Sequence, residues 1–209
     1  MTFWSVVFYL SLGFLSGSVP YSWLLGRLKG TDIRKVGSGN AGATNLMRVC
    51  GAGYGFIGLL LDALKGALPV FAAANGFLNV PQGNDTAVAL VAICAVLGHV
   101  FTPWLGFNGG KGVATALGAL LVLSPVSVAT AVTVFVLVLL LTRYVSLGSI
   151  CAAVFMIPAV FLFDPGKTAV QAVMSLVAIL IIVRHKSNIL RLIRGEESKF
   201  RFSRKQVPE

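Results

Sequence analysis

Charge is scarce in this sequence. Of 209 residues, seven are acidic and seventeen basic, 11% charged in all, against about 25% in an ordinary soluble domain. So few charges cannot cover a water-facing surface of this size, which excludes a water-soluble enzyme and a disordered tail protein. Metal and disulfide chemistry also lack material. There are two histidines, and three cysteines (Cys50, Cys94, Cys151) form an odd, scattered set, so neither a disulfide framework nor a metal site is expected. No cofactor is implied. A basic leader segment is missing too. The N-terminus stays apolar for more than twenty residues and reads as a retained span, not a cleaved signal.

What is present is apolar. Hydrophobic residues make up 56% of the chain, and mean hydropathy is +0.87. A membrane-spanning helix needs about 20 mostly apolar residues. Candidate spans run over 3–25, 53–77, 87–105, 145–163 and 168–184. The apolar stretch 113–142 is long for one crossing, and Ser124-Pro125 divides it into 113–123 and 126–142. The basic residues fix the count. Arg27, Lys29, Arg34, Lys35, Arg48, Lys111 and Arg143 lie between spans, and eight more bases follow from Arg184 onward. Two crossings of 113–142 put fifteen of the seventeen bases on one side, as the positive-inside rule requires. The expectation is a single all-α domain over 1–209 with seven transmembrane helices, N-terminus out and C-terminus cytoplasmic. The net charge of +10 is then topology and attraction to membrane lipid, and no nucleic-acid partner is expected.

Three unusual polar segments fall on the cytoplasmic side. The first is Gly37-Ser-Gly-Asn-Ala-Gly-Ala-Thr-Asn45 with Arg48. The second is Gly98-His-Val-Phe with Gly106-Phe-Asn-Gly-Gly-Lys-Gly112. The third joins Arg143-Tyr-Val-Ser-Leu-Gly-Ser149 to Arg184-His-Lys-Ser-Asn-Ile-Leu-Arg191 and Gly195-Glu-Glu197. Glycine-rich backbone lets amide N–H groups approach an anion, and a helix beginning just afterwards adds its positive end. Ser38, Gly39, Asn40, Thr44 and Asn45, with Arg48, are candidate phosphate ligands in the first segment. Gly109, Gly110, Lys111 and Gly112 are those of the second. Rival motifs fail. Gly37-Ser-Gly-Asn-Ala-Gly42 has the dinucleotide spacing without a strand before it, and no Ser-His-Asp set stands out. Asp62 and Lys65, one turn apart within a span, read as a self-neutralising pair. Small residues at four-residue spacing (Gly13/Gly17, Ala114/Gly118) fit close helix packing in lipid.

Taken together, Ser38-Gly-Asn-Ala-Gly-Ala-Thr-Asn45 with Arg48, Gly98-His-Val-Phe with Phe107-Asn-Gly-Gly-Lys-Gly-Val-Ala-Thr115, and Arg184-His-Lys-Ser-Asn-Ile-Leu-Arg191 with Gly195-Glu196 resemble the bacterial acyl-phosphate:glycerol-3-phosphate acyltransferases of the PlsY type. The resemblance spans nearly the whole chain in order. Thr102 before the proline and Asn108 in place of a common lysine are small departures. The resemblance implies a multi-pass protein of the bacterial inner membrane with its active site at the cytoplasmic face. It implies transfer of a fatty acyl group from acyl phosphate to the 1-hydroxyl of glycerol 3-phosphate, giving lysophosphatidate in phospholipid synthesis. It also implies catalytic roles for Ser38, Arg48, Lys111, Ser149, His185 and Asn188, with Ser146 and Asn188 added to the phosphate ligands. His185 is one candidate general base and the donor's own phosphate is the other. A labile donor would favour association with the enzyme that makes acyl phosphate, although no residue marks such a contact. The rival class is a small transporter of a phosphorylated or anionic solute. It calls for polar residues along a path through the bilayer, and apart from Asp62 and Lys65 the spans are nearly bare.

Overall fold

The computed structural model describes residues 3–76 and 84–200. Residues 78–83 of the loop expected at Leu78–Thr86, and the basic residues Arg201, Arg204 and Lys205, lie outside the described residues. Among the described residues ten α-helices follow in order: α1 (Phe3–Ser18), α2 (Tyr21–Leu28), α3 (Ala43–Cys50), α4 (Ala52–Ala74), α5 (Asp85–Val100), α6 (Val113–Leu123), α7 (Pro125–Thr142), α8 (Val145–Phe163), α9 (Thr168–Arg184) and α10 (Lys186–Ile193). No strand occurs among the described residues. Among the described residues four spans are long and apolar enough to cross a membrane: α4, α5 with its following turn, α7 and α8. Helix α9 passes the same test only together with α10, from which a 53° bend separates it.

The first expected span, 3–25, is not one helix. Pro20 has no N–H to donate and disfavours helical geometry at the residue before it, and α1 stops at Ser18 while α2 begins at Tyr21. The Val19 carbonyl at this break accepts from the Tyr21 N–H at 3.1 Å and from Lys65 Nζ at 2.6 Å. The same ammonium lies 2.8 Å from Asp62 Oδ1, while Ser22 Oγ donates to Asp62 Oδ2. The i,i+3 pair is therefore neutralised within α4, and it also ties the α1–α2 break to that helix. The span expected at 87–105 likewise unwinds at Phe101–Thr102 before a 3-10 turn over Pro103–Leu105. Thr102 is secured there by donating to the Ser18 carbonyl at 2.6 Å. Serine and proline at 124–125 separate α6 from α7, with Pro125 at the first helical position, where its missing N–H costs nothing.

Helix α5 is the central post. Its Ala and Val side chains from Ala87 to Val100 are buried, and it packs against α1, α4, α6 and α9. Lipid supplies no hydrophobic drive between helices, so close approach of backbones carries the packing. A Cβ at Gly17 would sit 1.9 Å from the Ala95 carbonyl oxygen on α5. One at Gly118 would sit 2.0 Å from the Ala63 carbonyl oxygen on α4. Large apolar side chains point outward instead: Leu141, Trp4 and Leu162 are each at least 70% exposed. Such a surface needs a lipid solvent.

Candidate functional site

The loop before α3 is organised by Asn45. Its side chain is buried, its Oδ1 accepts from the Ser38 N–H at 2.8 Å, and its Nδ2 donates to the carbonyls of Ile33, Val36 and Asn40. Gly37 has φ +65°, and a Cβ there would lie 2.4 Å from that same Oδ1. Asn45 was expected among the phosphate ligands, but its amide is spent on holding the loop. Asn40 also uses its Oδ1 internally, accepting from the Gly42 N–H at 2.9 Å. The hydroxyls of Ser38 and Thr44 make no hydrogen bond among the described residues, and Gly42 leads into α3 without a side-chain cap. Ser38, Gly39 and Arg48 are exposed.

The second loop is built on α5. The Gly109 N–H donates to the Val100 carbonyl at 3.0 Å. A Cβ at Gly109 would be 2.0 Å from the His99 carbonyl oxygen, and one at Gly110 would be 2.1 Å from His99 Nε2. These two glycines are therefore required by packing over His99. Gly112, at φ +87°, turns the chain into α6, whose N-terminus has no side-chain cap. The N–H groups of Gly110, Lys111 and Gly112 donate no hydrogen bond among the described residues.

The third segment meets this loop directly. Lys111 Nζ donates to Asn188 Oδ1 at 2.5 Å, and Asn188 Nδ2 donates to Glu197 Oε1 at 2.7 Å. Ser146 Oγ donates to the same oxygen at 2.7 Å, and Arg191 Nε reaches Glu197 Oε2 at 2.7 Å. The strap that carries Glu197 folds back over the bundle, with the Phe200 N–H bonded to the Arg143 carbonyl. It reaches the first segment too, since the Ser198 carbonyl lies 3.4 Å from Arg48 Nη2. All three polar segments thus converge at one end of the bundle. Ser149 is buried beside them, but its hydroxyl donates to the Val145 carbonyl one turn back at 3.0 Å.

Electrostatics follow from this crowding. Burial pushes the Lys111 amine down to about 8; Glu197 opposes the shift, and Arg191, Arg48 and Arg184 add to it. Three arginines and one carboxylate therefore act on the Lys111 ammonium. Burial raises the Glu197 carboxyl, but the hydrogen bonds from Ser146, Asn188 and Arg191 outweigh it and leave the group below its ordinary value. Burial and the Lys111 charge push His185 down to about 4. Its Nδ1 lies 2.8 Å from the Ile181 carbonyl, which can only accept. The proton therefore sits on Nδ1, and Nε2 keeps its lone pair. Among the described residues no three His, Cys, Asp or Glu side chains gather as a metal site would require.

Glu197 was visible in the sequence only as part of a Gly-Glu-Glu run and had no role there. The available signal was its rarity: one of seven acids in the chain, set among the bases of the tail. His99 and Arg184 lie in the same polar segments of the sequence with no individual role.

Residues 7–195 match the sequence profile of the family described as Glycerol-3-phosphate acyltransferase. The chain is 46% identical over 195 residues to the glycerol-3-phosphate acyltransferase of Trichlorobacter lovleyi, covering 93% of this chain and 97% of that one. It is 40% identical over 195 residues to the protein of the same name from Fusobacterium nucleatum, with the same coverage of 93% and 97%. Its fold is similar to solved structures of PlsY (YgiH), an integral membrane glycerol 3-phosphate acyltransferase. The glycerol 3-phosphate form gives a TM-score of 0.86 at 37% identity, and the lysophosphatidic acid form gives 0.84 at 36%. Each comparison covers 94% of this chain and 96% of the other.

Proposed function

The chain belongs to the glycerol-3-phosphate acyltransferase family, and on that premise we propose that it transfers a fatty acyl group from acyl phosphate to the 1-hydroxyl of sn-glycerol 3-phosphate. The products are lysophosphatidate and phosphate. The observation that carries this reading is the hydrogen-bonded chain Lys111–Asn188–Glu197 beside two uncapped glycine-led helix starts. Three arginines and one carboxylate act on the Lys111 ammonium, an excess of positive charge that suits substrates that both carry phosphate.

Acyl phosphate is a mixed anhydride and already activated, so no enzyme nucleophile is needed. The glycerol oxygen attacks the acyl carbonyl carbon, the new ester C–O bond forms, and the carbonyl–phosphate C–O bond breaks. Ser38, Gly39, Asn40 and Thr44 with the amides of their loop hold one phosphate. Gly109, Gly110, Lys111 and Gly112, with Arg48, Ser146 and Asn188, hold the other and the charge that develops on it. Ser149 lies beside the donor. Positioning and charge stabilisation supply most of the rate. The hydroxyl proton passes to the departing phosphate. His185, neutral with its lone pair on Nε2, accepts a hydrogen bond from the hydroxyl and orients it.

Seven crossings complete the reading, with α1–α2 as the first, α6 as a short fourth, and α10 at the surface. This puts the N-terminus outside and the site at the cytoplasmic face of the bacterial inner membrane. The distribution of bases supports that orientation. Membrane lipid covers the apolar surface, and the lability of acyl phosphate favours a nearby source enzyme. Purified protein in lipid, given palmitoyl phosphate and glycerol 3-phosphate, is expected to release lysophosphatidate and inorganic phosphate in equal amounts. An intact donor with no product would overturn the reading, and an acyl-enzyme trapped by quenching would overturn the direct route. A reporter at Glu209 found outside the cytoplasm would overturn the topology.

A further inference from the structure

We propose that Arg184 is a positioning residue: by holding the carbonyls of Gly109 and Gly110 it turns the amides of Gly110 and Lys111 toward a substrate phosphate. The proposal rests on the acyltransferase reading above. Arg184 closes α9, and its Nη2 lies 3.4 Å from the Gly109 carbonyl oxygen and 3.5 Å from that of Gly110. No cis peptide bond occurs among the described residues, and in a trans peptide the N–H points away from the C=O. The peptide that ends in the Gly109 carbonyl carries the Gly110 N–H. The next one pairs the Gly110 carbonyl with the Lys111 N–H. Two carbonyls gathered on one guanidinium therefore leave two successive N–H groups on the opposite side, and neither donates a hydrogen bond among the described residues.

The guanidinium is itself undersupplied. Among the described residues its Nε is buried without a hydrogen-bond partner, and its guanidinium lies 6.0 Å from the Phe101 ring. Arg191, by contrast, is paired with Glu197 at 2.7 Å. A half-buried cation held by two long carbonyl contacts is costly. An anion on the far side of the same peptides relieves that cost. A hydrogen bond to each N–H polarises its peptide and strengthens the bond that its carbonyl accepts. Arg184 thus lends charge to the phosphate through two peptides without touching it. The bland alternative, a base that merely marks the end of a span, predicts no effect on substrate affinity.

The test compares wild type, Arg184→Gln and Arg184→Lys in lipid. It measures kcat and the KM of each substrate, and the rise in unfolding midpoint caused by inorganic phosphate. Arg184→Gln is expected to raise the KM of one phosphate substrate by about tenfold or more, the effect of losing charge-assisted hydrogen bonds. The KM of the other and the phosphate-free midpoint should stay near wild type. The stabilisation by phosphate should be largely lost. Arg184→Lys, a point charge that reaches one carbonyl at a time, should recover part of both. Wild-type constants in Arg184→Gln would overturn the proposal. So would both KM values moving together with a lowered midpoint, or failure of both variants to fold. A wild type that makes no lysophosphatidate would instead sink the acyltransferase reading. The phosphate-dependent midpoint of wild type against Arg184→Gln then still decides the role of Arg184.

Discussion

Asn188 joins Glu197 to Lys111: its amide donates to the carboxylate at 2.7 Å and its carbonyl accepts from the ammonium at 2.5 Å. This arrangement fixes which end of the Asn188 amide faces which neighbour. A carboxylate can only accept and an ammonium can only donate, so the amide has one orientation that satisfies both. Lys111 is thereby aimed by a residue it never touches.

Glu197→Gln removes the charge and places an amide where Ser146, Asn188 and Arg191 all donate. One of those donors must then lose its acceptor. The expected cost is about 1.5–3 kcal/mol, read as a fall in kcat/KM of tenfold or more and a lower unfolding midpoint. Glu196→Gln, at the exposed neighbouring position, should leave both unchanged. Because the folded Glu197 carboxyl is held below its ordinary value, its contribution to stability is present above the unfolded value. That contribution is lost as pH falls through the folded one. An acid-unfolding curve that does not differ between wild type and Glu197→Gln would refute this assignment.

The Lys111 amine, pushed down to about 8, sets an alkaline limit on substrate binding. Phosphate recognition needs the charged form, so kcat/KM, which reports the free enzyme, should decline above about pH 8. In Lys111→Arg, the residual activity should lack that limb. Stability moves the other way. Between the folded value and the ordinary lysine value the unfolded chain holds more protons, so the fold gains stability as pH rises through that window. A kcat/KM profile that stays level well past pH 9 would place Lys111 outside phosphate binding.

For His185, burial and the Lys111 charge keep the imidazole neutral down to about pH 4. The activity profile should therefore show no histidine limb near pH 6.5. His185→Ala should lower kcat by more than it raises either KM, since it removes a hydrogen bond that orients the hydroxyl. Full activity in His185→Ala would remove the residue from the site. A limb at 6.5 that vanishes in the variant would make it the base instead.

The sequence makes some of this legible and hides the rest for physical reasons. Pro125 marks its break because the apolar run around it is too long for one crossing. Pro20 ends a helix by the same mechanism, yet it sits in a run of ordinary length and leaves no trace in hydropathy. Lys111 and Asn188 stand out as polar residues beside spans. Their meeting across 77 residues is tertiary, as is the burial of Glu197. Asn45 carried the right residue type for a ligand, but only coordinates reveal three carbonyls already occupying its amide. Gly109 and Gly110 looked like a phosphate cradle, and the packing against His99 gives them a second reason to be glycine.

Asp62 and Lys65 provide the last prediction. Sequence alone treats the pair as interchangeable, because two opposite charges one turn apart neutralise each other in either order. The structure gives each a different outer partner: Ser22 donates to Asp62, and Lys65 donates to the Val19 carbonyl. Exchanging them (Asp62→Lys with Lys65→Asp) would aim a carboxylate at a carbonyl oxygen and remove the bond from α4 to the Val19 carbonyl. Removing one charge alone leaves the other buried without its counter-ion, with an expected cost of about 3–5 kcal/mol. The exchange should therefore lower the unfolding midpoint in detergent nearly as far as Lys65→Met does. The molecules that remain folded should keep near-normal KM values, because neither residue belongs to the phosphate site. An exchanged protein as stable as wild type would show that neutralisation alone matters here, and that the bond to Val19 contributes little.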